Sequence, residues 1–176
     1  MEPAPPIESA VLVPLFRGAD GGLRLILVRR GERGVHGGQL AFPGGRRELA
    51  DPTALDTALR EAEEEIGLPR ESVEVLATLP AFTTRSTGFR IEPFLARVVP
   101  PSRWRPAQGE IAEVIEVPLA DLARPEARGE ALEQLPGWRQ PIAIRFFHVG
   151  PHRLWGATYR ILDPLLPRLL GGEWRL

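Results

Sequence analysis

Apolar residues alternate or run continuously in several stretches of the chain, and these stretches predict strands. Residues 10–16 and 23–28 flank a turn rich in glycine, so they predict a β-hairpin. The remaining predicted strands are residues 39–42, 73–77, 91–99, 114–119 and 142–149. Most of these strands are short, and helical patterns lie between and after them. The pattern therefore favours a mixed α/β fold.

Two later segments predict helices. Residues 119–122 predict one short helical turn. Residues 154–170 predict a longer helix, which we expect to be interrupted near Pro164 and Pro167 because proline lacks the N–H that a helix interior uses. With a central helix between the strands, this pattern predicts a mixed sheet covered by helices on two faces.

The central helix follows a glycine-rich turn at residues 42–45. Its apolar side chains recur at helical spacing and define an inward face: Leu55, Ala58, Leu59, Ala62 and Ile66. Asp51 is predicted to cap its start and Pro52 to take its first position. Gly67 is predicted to end it in the left-handed conformation.

Three carboxylates gather on another face of this helix. Glu61, Glu64 and Glu65 stand at i, i+3 and i+4, where like charges are neighbours and repel by a few tenths of a kcal/mol per pair, roughly. One interpretation is a solvated acidic face, which is common on helices. The preceding turn favours another, because its glycines allow a backbone carbonyl to approach a bound ion. The pattern therefore indicates a site for a hard divalent metal and a phosphate substrate.

The residues from Gly45 onwards resemble a known motif. Residues 60–68 contain R-E-A-x-E-E-x-G-L, with Gly45 and Asp51 ahead of them. This run resembles the Nudix box, G-x5-E-x7-R-E-U-x-E-E-x-G-U, where U is apolar. Two departures are visible: the box has one more residue before Arg60, and Asp51 stands where the general pattern has Glu.

Both departures resemble the coenzyme A pyrophosphatase branch of the Nudix superfamily. The upstream signature of that branch reads roughly L-L-T-x-R-S-x3-R-x3-G-x3-F-P-G-G, and Arg29, Gly38 and residues 42–45 match it. The signature's Thr, Ser and second Arg are replaced here, at Leu27, Arg30 and Gly34. Arg33 lies one place earlier than the second Arg and is a candidate to serve in its place.

The resemblance implies a Nudix-type α/β/α sandwich and a site that uses Mg²⁺ or Mn²⁺. Glu61 and Glu65 would be the principal metal ligands, and Glu64 an additional ligand or a group that orients water. The Gly45 carbonyl would complete the set of metal ligands, and Arg60 would orient the carboxylates. Such a site can neutralise the charge of a diphosphate and supply a deprotonated water.

A further carboxylate is expected from a separate loop. Glu110 resembles the acidic residue that precedes a V-P-L strand in this branch, which implies a role as general base or outer metal ligand, with Glu113 as second choice. The alternative is that both residues only solvate a loop before a strand.

Substrate contacts are predicted on both sides of the box. Arg29, Arg33 and His36 precede the glycine turn, where positive charge would meet a 3'-phosphate or the diphosphate. Gly44 belongs to the turn itself, and Arg85 is a candidate contact for the adenine ring or the acyl-carrying arm. A single histidine such as His36 is also common as a structural or exposed residue, and scattered surface arginines would explain Arg85 as well.

Composition restricts the classes of function. The chain has 176 residues, 43% of them hydrophobic, which fits one domain over residues 1–176. We expect residues 1–7 of this domain to be a flexible segment. The net charge of -1 gives no positive field that would attract nucleic acid. Cysteine is absent, so oxygen ligands remain for a metal. No apolar run reaches the length of a membrane span, about 18 residues, so we expect a cytoplasmic enzyme without a membrane partner. The composition allows for a homodimer.

Three functions remain open at this point. The first is hydrolysis of coenzyme A or its thioesters to phosphopantetheine and 3',5'-ADP. The second is hydrolysis of another nucleoside diphosphate derivative, such as ADP-ribose, NADH or a dinucleotide polyphosphate, because the upstream signature is matched only in part. The third is a nucleotide-binding module without catalysis, which the intact carboxylates disfavour.

Overall fold

The computed structural model describes residues 5–32, 37–84, 88–135 and 138–176. Within these ranges, eight strands form one mixed sheet and three strands form a smaller antiparallel sheet. The large sheet contains β1 (Ile7–Arg17), β2 (Leu23–Arg30), β3 (Leu40–Ala41), β4 (Gly44–Arg46), β5 (Val73–Thr78), β6 (Phe82–Thr83), β7 (Phe89–Val98) and β8 (Ile111–Pro118). The small sheet contains β9 (Arg128–Glu133), β10 (Ile142–Val149) and β11 (His152–Leu154). The α-helices in these ranges are α1 (Ala54–Ile66), α2 (Leu119–Leu122) and α3 (Gly156–Leu170), and two short 3₁₀ helices lie at Arg70–Ser72 and Pro125–Ala127.

Strand β1 organises the large sheet. One of its edges pairs in parallel with β7, from Ile7 opposite Phe89 onwards. Its other edge is shared, because β2 pairs with it only near the hairpin turn and β4 pairs with residues 9–11. The two strands of the hairpin therefore diverge, and β4 pairs with the part of the β1 edge that β2 does not pair with. Strand β1 begins at Ile7, the last residue of the segment that was expected to be flexible, and the flexibility of that segment stays a prediction.

Alternation along the central strands sends side chains to two separate cores. On β1, Ala10 and Leu12 face α1, whereas Val13 and Leu15 face α3 and the small sheet. Strands β2 and β7 divide their side chains in the same way. The large sheet is therefore covered by helices on both faces, which confirms the predicted α/β/α sandwich. No helix in the described ranges is long and apolar enough to cross a membrane.

Most of the predicted elements are present, with corrections at the glycine turn, in the small sheet and in the last helix. The hairpin, the strand at residues 142–149 and the short helix at 119–122 are confirmed. The glycine turn at residues 42–45 is wrong in part, because Gly44 and Gly45 belong to β4 and pair with β1. Strands β6, β9 and β11 were not predicted. None of the residues of β9 is buried, so it lacks the run of apolar residues that would indicate a strand.

The interruption expected in the last helix is also wrong. Helix α3 runs from Gly156 to Leu170 through Pro164 and Pro167, both of which are exposed. Its buried residues pack continuously against the large and small sheets: Thr158, Ile161, Leu162, Leu165, Leu166 and Leu169. This packing outweighs the missing hydrogen bonds, because tertiary burial contributes more to helix stability than intrinsic propensity.

The start of α1 differs from the prediction and its end agrees with it. Thr53, not Asp51, caps the helix: its Oγ1 accepts from the Asp56 N–H, and the Asp56 carboxylate accepts from the Thr53 N–H, each at 3.1 Å. Pro52 therefore precedes the cap. Asp51 is engaged in tertiary contacts described below. Gly67 ends the helix with φ of 70°, as predicted.

We expect Leu162→Ala to lower the free energy of unfolding by about 2–5 kcal/mol, because Leu162 is fully buried and its loss leaves a cavity under α3. Urea unfolding followed by tryptophan fluorescence measures this change. Leu170→Ala is the matched control, since Leu170 lies on the same helix and is 50% exposed. Equal losses in the two variants would contradict the packing described for α3.

Candidate active site

Helix α1 lies against β4 and places two glutamates beside its backbone. The Gly44 N–H donates to Oε2 of Glu65 at 3.0 Å. Glu65 is buried, with 2% of its side chain exposed, and Glu61 lies one turn earlier on the same face with 15% exposed. The strand therefore orients one carboxylate, and the helix brings the second next to it.

The two glycines of β4 serve different purposes. A Cβ on Gly44 would lie 2.3 Å from the Ala10 carbonyl oxygen, and its φ of 156° suits glycine, so Gly44 allows β4 to pair with β1. A Cβ on Gly45 would lie 2.4 Å from Oε1 of Glu61. Gly45 therefore leaves the space that the Glu61 carboxylate occupies, and it brings the strand backbone close to that carboxylate.

Burial and the charges of neighbouring carboxylates disfavour the charged forms of Glu61 and Glu65. Burial raises the pKa of Glu65 to about 7, and the charges of Glu61 and Glu110 add to the rise, against the Gly44 N–H and the Arg30 charge. Burial also raises the pKa of Glu61, opposed by Arg60. A bound cation would reverse both effects, because an opposite charge favours the ionised form.

Arg60 connects the carboxylates to the loop between β4 and α1. Its guanidinium lies 3.0 Å from both oxygens of Asp51, 3.0 Å from Glu64 and 3.0 Å from Glu61. It also donates to the Arg46 carbonyl at 3.1 Å. Hydrogen bonding to Asp51 raises the pKa of Arg60 above its usual range. Arg60 is therefore fixed by several short contacts and holds Glu61 and Glu64 in turn.

Asp51 anchors this arrangement. It is buried and accepts from the Thr57 hydroxyl and the Glu48 N–H, each at 2.9 Å, in addition to Arg60. The hydrogen bond from Arg60 is the main cause that holds the pKa of Asp51 well below its usual range. Its carboxylate is thus used to position Arg60, which explains why it does not cap the helix.

Sequence reasoning did not identify Arg30 as part of this cluster. Its guanidinium lies 4.0 Å from Oε1 of Glu65 and 3.7 Å from Oε1 of Glu110. The sequence offered one signal, and the structure supplies the other. Arg30 has the same parity on β2 as Ile26 and Val28, which face α1. Pairing of β2 with β8 then sets Arg30 opposite Ile111, next to Glu110.

The predicted residues divide into three groups. Glu61, Glu64, Glu65, Gly44, Gly45, Arg60 and Glu110 come together around the end of α1. Arg29 instead pairs with Glu32 at 3.0 Å and Glu113 at 3.5 Å. Arg33, His36 and Arg85 lie outside the described residues. The roles assigned to all of these residues remain predictions.

The oxygen-rich cluster suits a hard divalent cation in its chemistry. Carboxylate and carbonyl oxygens are the ligands that Mg²⁺ and Mn²⁺ prefer, and the absence of a side chain at Gly45 lets the Glu61 carboxylate lie against the β4 backbone. Across residues 5–32, 37–84, 88–135 and 138–176, no three Asp, Glu or His side chains are already arranged around a common point as metal ligands. Arginines hold the carboxylates instead, so binding of a cation would require local side-chain rearrangement.

Comparison with known proteins identifies the family. The model of the NUDIX domain matches residues 6–136. This chain belongs to the Nudix family. That membership, predicted from the box, is confirmed. Nudix hydrolases act on nucleoside diphosphate derivatives and generally use divalent metal ions.

Curated relatives carry the same family name. The uncharacterized Nudix hydrolase NudL of Citrobacter koseri is 39% identical over 117 residues, which are 66% of this chain and 60% of that protein. NudL of Salmonella paratyphi B is 39% identical over 152 residues, 86% of this chain and 72% of its own length. The chain thus spans about three fifths of the first of these relatives.

Solved structures share the fold. The Nudix hydrolase RenU of M. smegmatis has a TM-score of 0.56 and 25% identity over 66% of this chain and 73% of its own. The NUDIX domain of Shewanella oneidensis NrtR, solved in complex with ADP ribose, has a TM-score of 0.53 and 20% identity over 69% and 77% of the two chains. Both likenesses support the mixed α/β architecture.

We expect the metal-free protein to lose stability between pH 5 and pH 8 because of Glu65. The unfolded carboxyl group has its ordinary pKa of 4.5 and the folded one about 7, so the folded state binds more protons over this interval and the free energy of unfolding falls as pH rises. As the pH is raised from 5 to 8, the free energy of unfolding of Glu65→Gln should rise by about 1–3 kcal/mol relative to that of wild type. Urea unfolding in the presence of a chelator measures the difference.

Glu63→Gln is the control for this pH series. Glu63 lies on the same helix and is exposed, so the variant should follow wild type at both pH values. If Glu65→Gln also follows wild type, burial does not raise the pKa of Glu65 as described.

Proposed function

We propose that this protein is a metal-dependent pyrophosphohydrolase that cleaves the diphosphate of coenzyme A, or of its thioesters, into 3',5'-ADP and phosphopantetheine or its acyl form. One observation carries the proposal. Two repelling carboxylates, Glu61 and Glu65, converge beside the glycines of β4, where a divalent cation would relieve their repulsion. Membership of the Nudix family supports the same chemistry.

Each residue of the cluster has a role in this proposal. Glu61 and Glu65 bind Mg²⁺ or Mn²⁺ with the Gly45 carbonyl, and Glu64 is a further ligand or orients water. When bound, the cation neutralises phosphate charge and lowers the pKa of a coordinated water. Arg60 positions Glu61 and Glu64 through contacts of 3.0 Å.

Glu110 is the proposed general base or outer ligand. Its charge raises the pKa of both Glu61 and Glu65, which supports its nearness to the two carboxylates. It is half exposed, so solvent water has access to it. Glu113, the second choice, pairs instead with Arg29. The geometry thus favours Glu110 over Glu113.

The choice of coenzyme A rests on the residues upstream of the box. Arg29, Gly38 and Phe42 to Gly45 match the signature of that branch, and Arg33, His36, Gly44 and Arg85 are assigned to the substrate with Arg29. A second candidate is a different nucleoside diphosphate derivative, such as the ADP ribose bound by the NrtR domain. Arg30 favours it, because it stands where the coenzyme A signature has Ser and contributes a charge at the carboxylates.

We expect Glu65→Gln to lower metal-dependent turnover by at least about 100-fold, because an amide oxygen is a weaker ligand for a hard cation than a carboxylate. Steady-state hydrolysis with Mg²⁺ or Mn²⁺ measures this loss, and circular dichroism checks the fold. Glu63→Gln on the exposed side of α1 is the control and should keep wild-type turnover. Full activity of Glu65→Gln would remove Glu65 from the set of ligands.

Substrate preference separates the two candidate functions. We expect kcat/KM for coenzyme A to exceed the values for ADP-ribose, NADH and diadenosine polyphosphates by more than about tenfold, or roughly 1.4 kcal/mol of transition-state stabilisation. The measurement compares all four substrates with the same metal and pH. A preference for one of the others would transfer the proposal to that substrate and leave the metal site unaffected.

A further inference from the structure

The two arginines of the carboxylate cluster are held in different ways. Arg60 makes hydrogen bonds of 3.0–3.1 Å to Asp51, Glu64 and the Arg46 carbonyl. The Arg30 guanidinium has no hydrogen bond to any described residue, and its nearest carboxylate oxygens are 3.7 and 4.0 Å away. Arg60 is thus fixed by geometry, whereas Arg30 is held by charge alone.

The backbone around Arg30 places it between two acidic residues from different elements. Glu65 comes from α1, and Glu110 from the turn before β8. The Gly31 N–H donates to the Glu110 carbonyl at 2.7 Å, which fixes that turn next to the end of β2. The register of β2 and β8 shifts between Arg29 and Arg30, so the strand bends at this point. About one third of the Arg30 side chain is exposed to solvent.

We infer that Arg30 is an exchangeable counter-ion of the site. In the metal-free protein it neutralises Glu65 and Glu110, and it gives up Glu65 when a divalent cation binds there. The inference rests on the metal site of the proposed function. It goes beyond that function because it says that a residue that is not a ligand lowers the affinity for the cation. A positive charge 4.0 Å from a ligand oxygen competes with the incoming cation and weakens its binding.

The test is titration of chelator-stripped protein with Mn²⁺ alone, by calorimetry at constant pH and ionic strength. Arg30→Gln removes the charge and should tighten Mn²⁺ binding by about three- to tenfold. Arg30→Lys keeps the charge and should stay within about twofold of wild type. Arg30→Ser is a second neutral variant that should agree with Arg30→Gln, and thermal unfolding checks that each variant is folded.

Arg24→Gln is the matched control. Arg24 lies on β2 with the same parity as Arg30 and is also paired with a carboxylate, that of Asp20 at 3.1 Å. It is about 20 Å away along the strand, beyond the screening length of roughly 8 Å at physiological ionic strength. Its loss should leave Mn²⁺ affinity unchanged.

The outcomes separate this inference from the proposed function. Unchanged or weaker Mn²⁺ binding in Arg30→Gln, or equal tightening in Arg30→Lys, overturns the inference while the metal site stands. Wild-type Mn²⁺ affinity in Glu65→Gln instead removes the proposed ligand. Absence of Mn²⁺ binding in wild type and in both neutral variants overturns both, whereas binding that appears only in the neutral variants supports competition by Arg30.

Discussion

Repulsion between Glu61 and Glu65 is the constraint on which the rest of the site depends. They lie one helical turn apart, one buried and one half-buried, and burial disfavours ionisation of both. The charges of Glu61 and Glu110 add to the effect at Glu65, and those of Glu64 and Glu110 add to it at Glu61. The surrounding structure supplies partial compensation from three directions: the Gly44 N–H, the Arg60 guanidinium and the Arg30 guanidinium. A divalent cation bound between the two carboxylates would complete the compensation of their negative charge. The contacts are those expected of a site whose carboxylates are kept together for function, at a cost in stability.

The sheet makes this arrangement compatible with a packed core. Because β2 leaves β1 after the hairpin turn, β4 pairs with β1 beside α1 and brings its backbone to the glutamates. The opposite face of the same strands is covered by α3 and the small sheet, and the Thr158 hydroxyl on α3 donates to the Leu40 carbonyl at 3.3 Å. The polar cluster thus lies at the end of α1, while both faces of the sheet remain apolar.

Local patterns were sufficient for the parts of the site that lie on one element. Helical spacing put Glu61 and Glu65 on a common face, and the glycines ahead of them indicated close approach of backbone. Contacts between elements could not be obtained in this way. Asp51 has the chemistry of a helix cap, but its role depends on Arg60 and Thr57 across the loop, and Thr53 with Asp56 forms a complete local cap. Arg30 required the register of β2 with β8. The prolines of α3 wrongly indicated an interruption, because burial of the opposite face of α3 keeps the helix continuous.

The contrast between Arg60 and Arg30 bears on how substrate branches of this family diverge. Arg60 belongs to the box and is tied into Asp51 and the β4 backbone, so its replacement would disturb the carboxylates themselves. Arg30 lies outside the box, where the coenzyme A signature has Ser, and touches the cluster only through charge. Replacing a residue of this second kind would change the electrostatic environment of the proposed metal site while leaving its proposed ligands in place. If the proposed site binds a cation and a diphosphate, variation at the end of β2 would adjust its affinity for them without rebuilding α1.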